Sequence, residues 1–324
     1  TRVWKSKNTF PFRQLYHLMA GAFFTSHRLR VLIFAFAPLV RGVPDHNRAT
    51  PLTPPLEDVK RAELLHDWAV CQNATMVPFD LALLVYAGVQ HANSAGISGD
   101  ILEAGVWKGG MCCLMARSQV RAGRVHMPRR IWLYDTFEGL PPPSDKDDER
   151  AHRTYAEVQA GSDHGGLAED GKWNYGPQDV VKATMRLSGY PNSMLRYVKG
   201  KVEDTLSDPA LERPSRLAVL RLDTDFYSST LVELDVLWNL LSPGGMMYVD
   251  DYYVWGGSRT AVDEWLENRG WRQAATAAKA FGFDPDGTPQ RLYVWKSPTA
   301  DTNPTRPFVL ASSVDQDPWL EPWL

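Results

Sequence analysis

Apolar and polar positions change their spacing along the chain. Up to about residue 55, aromatic and basic side chains are mixed (Phe10, Phe12, Phe23, Phe24, Arg28, Arg30), and the stretch closes on Gly42-Val-Pro-Asp-His-Asn followed by Pro51, Pro54 and Pro55. That composition reads as an N-terminal extension and linker over 1–55. From Leu56 onward Leu64, Leu65 and Trp68 fall at helical spacing, and strand-like runs then alternate with amphipathic segments. The runs are Asp100 to Ala104, Ile131 to Tyr134, Leu195 to Val198, Leu217 to Leu222, Met246 to Val249 and Arg291 to Trp295. Helical patterns lie near Met111 to Val120, Asp179 to Leu187, Ser229 to Leu241 and Arg259 to Asn268. Such alternation predicts an α/β domain over 56–298, a mainly parallel sheet flanked by helices. A Pro- and Asp-rich tail with Trp319 and Trp323 fills 299–324.

Charge and cysteine usage narrow the class. A formal net charge of -3 on 324 residues gives no broad positive field to gather nucleic acid, so a small-molecule acceptor is expected and no nucleic-acid partner. Cys71, Cys112 and Cys113 form no CxxC pair, which argues against a zinc site and for a reducing, cytoplasmic setting. The apolar run from Val31 to Val40 is bounded by Arg30 and Arg41 and carries Pro38. It is shorter than the roughly 20 residues that cross a bilayer and lacks a small-residue cleavage site, so neither a transmembrane span nor a signal peptide is expected. The extension reads as a helical piece packed on the domain or on a second copy of the chain, with a membrane-surface anchor as the alternative.

Candidate chemistry sits where strands end, because ligands of open α/β sheets collect at strand carboxyl ends and helix N-termini. Asp100-Ile-Leu-Glu-Ala-Gly-Val-Trp-Lys-Gly-Gly110 is a strand ending in an acid, then a glycine turn, then a helix start. Glu103 before that turn would repel a pyrophosphate but suits the ammonium end of S-adenosylmethionine. Ile131-Trp-Leu-Tyr-Asp-Thr-Phe-Glu-Gly139 is a second acid-tipped strand, and Asp135 is placed to accept ribose hydroxyls, or else to cap a helix. Val219-Leu-Arg-Leu-Asp-Thr-Asp225 and Gly245-Met-Met-Tyr-Val-Asp-Asp251 are apolar strands that each stop on paired carboxylates. Neighbouring parallel strands would bring those ends together, and like charges so close call for a cation. Hard oxygen ligands favour magnesium or manganese over zinc. If the strand stays extended to its tip, Asp223 and Asp225 point to one face. The segment from Pro141 to Pro177, with Gly161, Gly165, Gly166 and Gly171, reads as a loop over the acceptor, in which Trp173 and Tyr175 either stack on a sugar or anchor the loop.

Several of these phrases occur together in one family. Leu102-Glu-Ala-Gly-Val-Trp-Lys-Gly-Gly110, Tyr134-Asp-Thr-Phe-Glu-Gly-Leu-Pro141, Arg221-Leu-Asp-Thr-Asp-Phe-Tyr-Ser-Ser-Thr230, Leu241-Ser-Pro-Gly-Gly245 and Asp250-Asp-Tyr252 with Gly257 and Arg259 resemble the macrocin O-methyltransferase (TylF-type) enzymes, which methylate sugar hydroxyls of natural-product glycosides. The resemblance implies a Rossmann-like class I methyltransferase fold, S-adenosylmethionine as methyl donor and a magnesium ion. It assigns Asp223, Asp250 and Asp251 to the metal. It assigns Thr75, Met76, Glu103, Gly105, Val106, Trp107, Gly110, Asp135, Thr136, Phe137, Lys201 and Val202 to the methyl donor. Asp225 and His152 match positions of proton acceptors. Phe79-Asp80-Leu-Ala-Leu departs from a more polar phrase of the family, and the first fifty residues have no counterpart in it. Three other functions fit the motifs: methylation of a catechol or other vicinal diol, a nucleotide-sugar glycosyltransferase using Asp223-Thr-Asp225 as a DxD metal site, and a non-catalytic binding module that keeps the fold.

Overall fold

The computed structural model describes residues 56–121, 129–277, 281–283, 289–297, 300, 303 and 305–309. The extension over 1–55, most of the tail and both Trp319 and Trp323 lie outside the described residues. In chain order the elements are α1 (Leu56–Cys71), α2 (Phe79–Ser94), β1 (Asp100–Ala104), α3 (Gly110–Arg121), β2 (Ile131–Asp135), α4 (Glu149–Gln159), β3 (Ala168–Glu169), β4 (Lys172–Trp173), α5 (Gln178–Leu187), β5 (Leu195–Lys199), α6 (Val202–Thr205), β6 (Leu217–Leu222), α7 (Tyr227–Leu240), β7 (Leu241–Val249), α8 (Gly256–Asn268), α9 (Arg272–Ala277), β8 (Phe281–Phe283) and β9 (Pro289–Trp295).

The apolar runs pair into one seven-stranded sheet in the order β5-β2-β1-β6-β7-β9-β8. The first five of these strands run parallel, while β9 is antiparallel to both β7 and β8. Alternate side chains divide the core between the two faces of the sheet. Ile101, Leu133, Val219 and Met246 pack with Leu64, Val85, Met111 and Val181 of α1, α2, α3 and α5. Leu102, Trp132, Leu220 and Met247 pack with Leu234, Trp238, Val262 and Trp265 of α7 and α8. Both faces are thus covered, which explains why the central strands read as unbroken apolar runs.

Two helices depart from the expected pattern. α2 is apolar on most sides, with Ala82, Val85, Tyr86, Ala87 and Val89 all buried, so no single stripe marks it. α4 falls inside the segment expected to be a loop; it buries only Ala151, Thr154 and Val158, too few to stand out among its charged neighbours. No helix among the described residues is long and apolar enough to cross a membrane.

α1 is fastened by one buried acid. Asp67 is fully buried and accepts from Arg117 Nε at 2.8 Å, Arg121 Nε at 3.1 Å and the Tyr86 hydroxyl at 3.3 Å. Replacing it leaves two guanidinium groups without their shared acceptor. Asp67→Leu is expected to cost about 1.5–3 kcal/mol, the range for hydrogen bonds to charged groups. Chemical denaturation checks this, and an unchanged midpoint would show that the helix is held by its apolar face alone.

Candidate active site

The turn after β1 brings the strand ends together. Gly105 has φ +78, and a Cβ built there would lie 1.8 Å from the Asp223 carbonyl oxygen, so only glycine lets this turn rest on the end of β6. Its N–H donates to the Tyr134 carbonyl at 2.9 Å. Asp135 organises both neighbouring turns: Oδ2 accepts from the backbone N–H groups of Val106 at 2.8 Å and Trp107 at 3.2 Å, and Oδ1 from Phe137 N–H at 2.6 Å. Burial pushes this carboxyl upward while those three bonds oppose the shift.

These turns open on a cavity of about 320 Å³. Thr75, Met76, Glu103, Gly105, Val106, Trp107, Asp135, Thr136, Lys201 and Val202 line it, as do Asp223, Asp225, Asp250 and Asp251. Gly110 and Phe137 do not. A Cβ on Gly110 would come within 2.5 Å of the Ala74 carbonyl, so this glycine admits the chain that leads to Thr75. Phe137 is buried in the core and contributes its backbone N–H.

The acidic wall follows from sheet geometry. Asp223 N–H and Asp250 N–H extend the ladder to the carbonyls of Ala104 and Leu222, each at 2.9 Å. Asp223, Asp250 and Asp251 offer carboxylate oxygens that all lie within 4.8 Å of one another. Burial and mutual repulsion push Asp223 and Asp251 well above the usual carboxylate range. Asp225 does not continue an extended strand: β6 ends at Leu222, and Asp225 adopts φ +66. The chain turns because Phe226 N–H closes on the Thr224 carbonyl at 2.7 Å and Asp225 N–H donates to Asp251 Oδ2 at 3.1 Å. Even so, Asp225 faces the same cavity, where burial drives it up to about 7 against a hydrogen bond with Trp255.

Glu103 is 1% exposed, and both its oxygens are engaged, Oε1 by Arg221 Nη1 and Oε2 by the Cys112 thiol at 2.6 Å. Arg221 also reaches Asp223 Oδ2 at 2.7 Å and Asp250 Oδ1 at 3.1 Å. The sequence motifs single out the acids and pass over this arginine. Its signal is a lone cation in the otherwise apolar run Leu217–Leu222, since a charge on a central strand must find partners.

His152 stands apart from the cavity. It is exposed on α4, with Nε2 3.1 Å from the Ser144 carbonyl oxygen. His164 lines the cavity instead, its ring 5.3 Å from that of Trp173. Trp173 anchors the segment, packing with Ala151, Val158, Phe226 and Trp255, and Tyr175 lies under Lys172 Nζ at 4.4 Å. The segment is latched by adjacent acids. Asp147 accepts from Tyr227 N–H at 2.7 Å, while Asp148 accepts from Ala151 N–H at 2.8 Å and from Gly256 N–H at 2.7 Å. Three helices, α4, α7 and α8, thereby start on this pair. A side chain at Gly257 would collide with Asp147, its Cβ only 1.8 Å from Oδ1.

The family model described as macrocin O-methyltransferase (TylF) matches residues 43–281. The chain belongs to this family. It is accordingly an enzyme of the O-methyltransferase class. A tetracenomycin-series enzyme from Streptomyces olivaceus, 8-demethyl-8-(2,3-dimethoxy-alpha-L-rhamnosyl)-tetracenomycin-C 4'-O-methyltransferase, is 32% identical over 57% of this chain and 70% of its own. Mycinamicin III 3''-O-methyltransferase from Micromonospora griseorubida is 33% identical over 56% of this chain and 66% of its own length. Demethyldecarbamoylnovobiocin O-methyltransferase from Streptomyces niveus is 33% identical, but the match spans only 58% of that protein. Among solved structures, the O-methyltransferase NovP superposes with a TM-score of 0.54 at 27% identity, covering 69% of this chain and 82% of NovP. The family relation gives O-methylation as the reaction class.

Proposed function

We propose that this family member transfers a methyl group from S-adenosylmethionine to a hydroxyl of a sugar on a natural-product glycoside, with magnesium or manganese held by Asp223, Asp250 and Asp251. The observation that carries the reading is the convergence of those three carboxylates on the same cavity as the Gly105 turn. The name of the Streptomyces olivaceus relative states a rhamnosyl-tetracenomycin as what that enzyme methylates, which supports a sugar hydroxyl as the acceptor.

The residues fit both bound groups. Five acids, Asp223, Asp225, Asp250, Asp251 and Glu103, line the cavity and only three of them pair with the buried cation Arg221, so a hard divalent ion would relieve the mutual repulsion that raises Asp223 and Asp251. The glycine cradle and the neighbouring N–H groups form the kind of close-approach turn that a nucleoside requires. When bound, the divalent ion lowers the proton affinity of the acceptor hydroxyl and the sulfonium supplies the methyl group. Asp225 stands beside the triad to take the hydroxyl proton, oriented by Trp255. The α4 segment, anchored by Asp147 and Asp148, contributes Arg150, His164 and Trp173 to the cavity wall.

Asp135→Ala removes the acceptor for three backbone N–H groups and loosens both turns at once. Affinity for S-adenosylmethionine is expected to fall by about 1–3 kcal/mol, the cost of leaving buried partners unpaired. Titration calorimetry reads this directly, and the same instrument with nucleotide sugars tests the glycosyltransferase alternative. Binding of a nucleotide sugar with no binding of S-adenosylmethionine would overturn the proposal.

A further inference from the structure

One guanidinium stands between the two parts of the cavity. In the strand register Arg221 on β6 lies opposite Glu103 on β1 and opposite Tyr248 on β7, so all three side chains share one face of the sheet. The Arg221 side chain is 1% exposed. Its Nη1 donates both to Glu103 Oε1 and to Asp223 Oδ2, and Nη2 pairs with Asp250 Oδ1. The ring of Tyr248 lies 5.9 Å from the guanidinium carbon. A single buried cation is therefore divided among the acid at the tip of β1 and two members of the carboxylate triad.

We propose that Arg221 is a positioning residue that couples the two ligand sites, so that occupancy of the carboxylate triad weakens binding of the methyl donor and the reverse. This rests on the assignment of methyl donor and divalent ion made above. Arg221 Nη1 donates to one oxygen of Asp223 while tethering Glu103, and Nη2 lies within ion-pair distance of Asp250, a spread of charge that a lysine ammonium lacks the geometry to reach. A cation at the triad competes with Arg221 for the charge of Asp223 and Asp250. Arg221 then pairs more fully with Glu103 and lowers the negative potential that Glu103 presents to the ammonium end of the methyl donor. The coupling is reciprocal, because a coupling free energy acts equally on both ligands.

The test is a binding cycle that needs no turnover. S-adenosylmethionine affinity is measured by calorimetry on the full chain in excess magnesium and in EDTA, and magnesium affinity with and without S-adenosylmethionine. In the wild-type protein each ligand is expected to weaken the other by about fivefold or more. Arg221→Met is expected to bring that ratio to within about twofold of one. Glu103→Gln, which keeps the volume and cuts the charge link at the other end, is expected to do the same should the arginine variant fail to fold. A general loss of stability does not move this ratio, since both affinities are read on folded protein. A wild-type ratio of one, or a wild-type ratio retained in Glu103→Gln, overturns the coupling while both sites stand. A wild-type protein that binds neither ligand overturns the assignment of the site, and the coupling with it.

Discussion

Asp250→Asn and Asp223→Asn are each expected to lower turnover by about a thousandfold or more while S-adenosylmethionine still binds. Asparagine keeps the volume and one oxygen of each side chain but removes the charge that makes the triad a cation site. The chemical step then loses the several kcal/mol that a Lewis acid contributes, and each 1.36 kcal/mol is about tenfold in rate. The methyl donor is expected to remain bound because the turns that form its side of the cavity are organised by Asp135 and Gly105, whose contacts involve neither Asp250 side-chain oxygen nor that of Asp223. EDTA should reproduce the loss, and magnesium should restore it in the wild type alone. Single-turnover rates with calorimetry on the same samples check both halves. Activity that persists in excess chelator contradicts the role of the triad.

The second large effect concerns the proton acceptor. Asp225→Asn is expected to lose about a hundredfold or more in the single-turnover rate, the usual contribution of a general base. His152→Ala is expected to stay near wild type. The reason is geometric: Asp225 lines the cavity with its backbone bonded to Asp251, whereas His152 is exposed and turned to the Ser144 carbonyl. The rates are compared at saturating acceptor and metal. A larger loss in His152→Ala would require α4 to reorient before chemistry and would reverse the assignment.

The sheet is legible in the sequence because its strands are buried on both faces, so Ile131–Asp135 and Leu217–Leu222 stand out as apolar runs, and the acids that end them mark where ligands meet the sheet. α4 is not legible. Its three buried residues sit among Glu149, Arg150, Arg153 and Glu157, and its place is set by Asp147 and Asp148 reaching helices more than 75 residues away in sequence. No local pattern encodes contacts of that range. The bend at Asp225 is hidden for a similar reason: the residues before it are strand-like, and the turn is fixed by an N–H bond to Asp251 just beyond the end of β7. Arg221 is visible as a residue but not as a partner, because its role appears only when β1, β6 and β7 lie side by side.

Metal-assisted transfer of a methyl group from S-adenosylmethionine to a sugar hydroxyl leaves a label that can be followed. Its most direct test is incubation of the full chain with methyl-labelled S-adenosylmethionine, magnesium and a panel of natural-product glycosides alongside their aglycones and simple catechols, followed by mass spectrometry. A glycoside is expected to gain one labelled methyl on an oxygen of its sugar, the gain requiring magnesium or manganese, and the aglycone alone is expected to gain none. Labelling of catechols or aglycones with none on the sugars, or sugar labelling that is indifferent to EDTA, would contradict it.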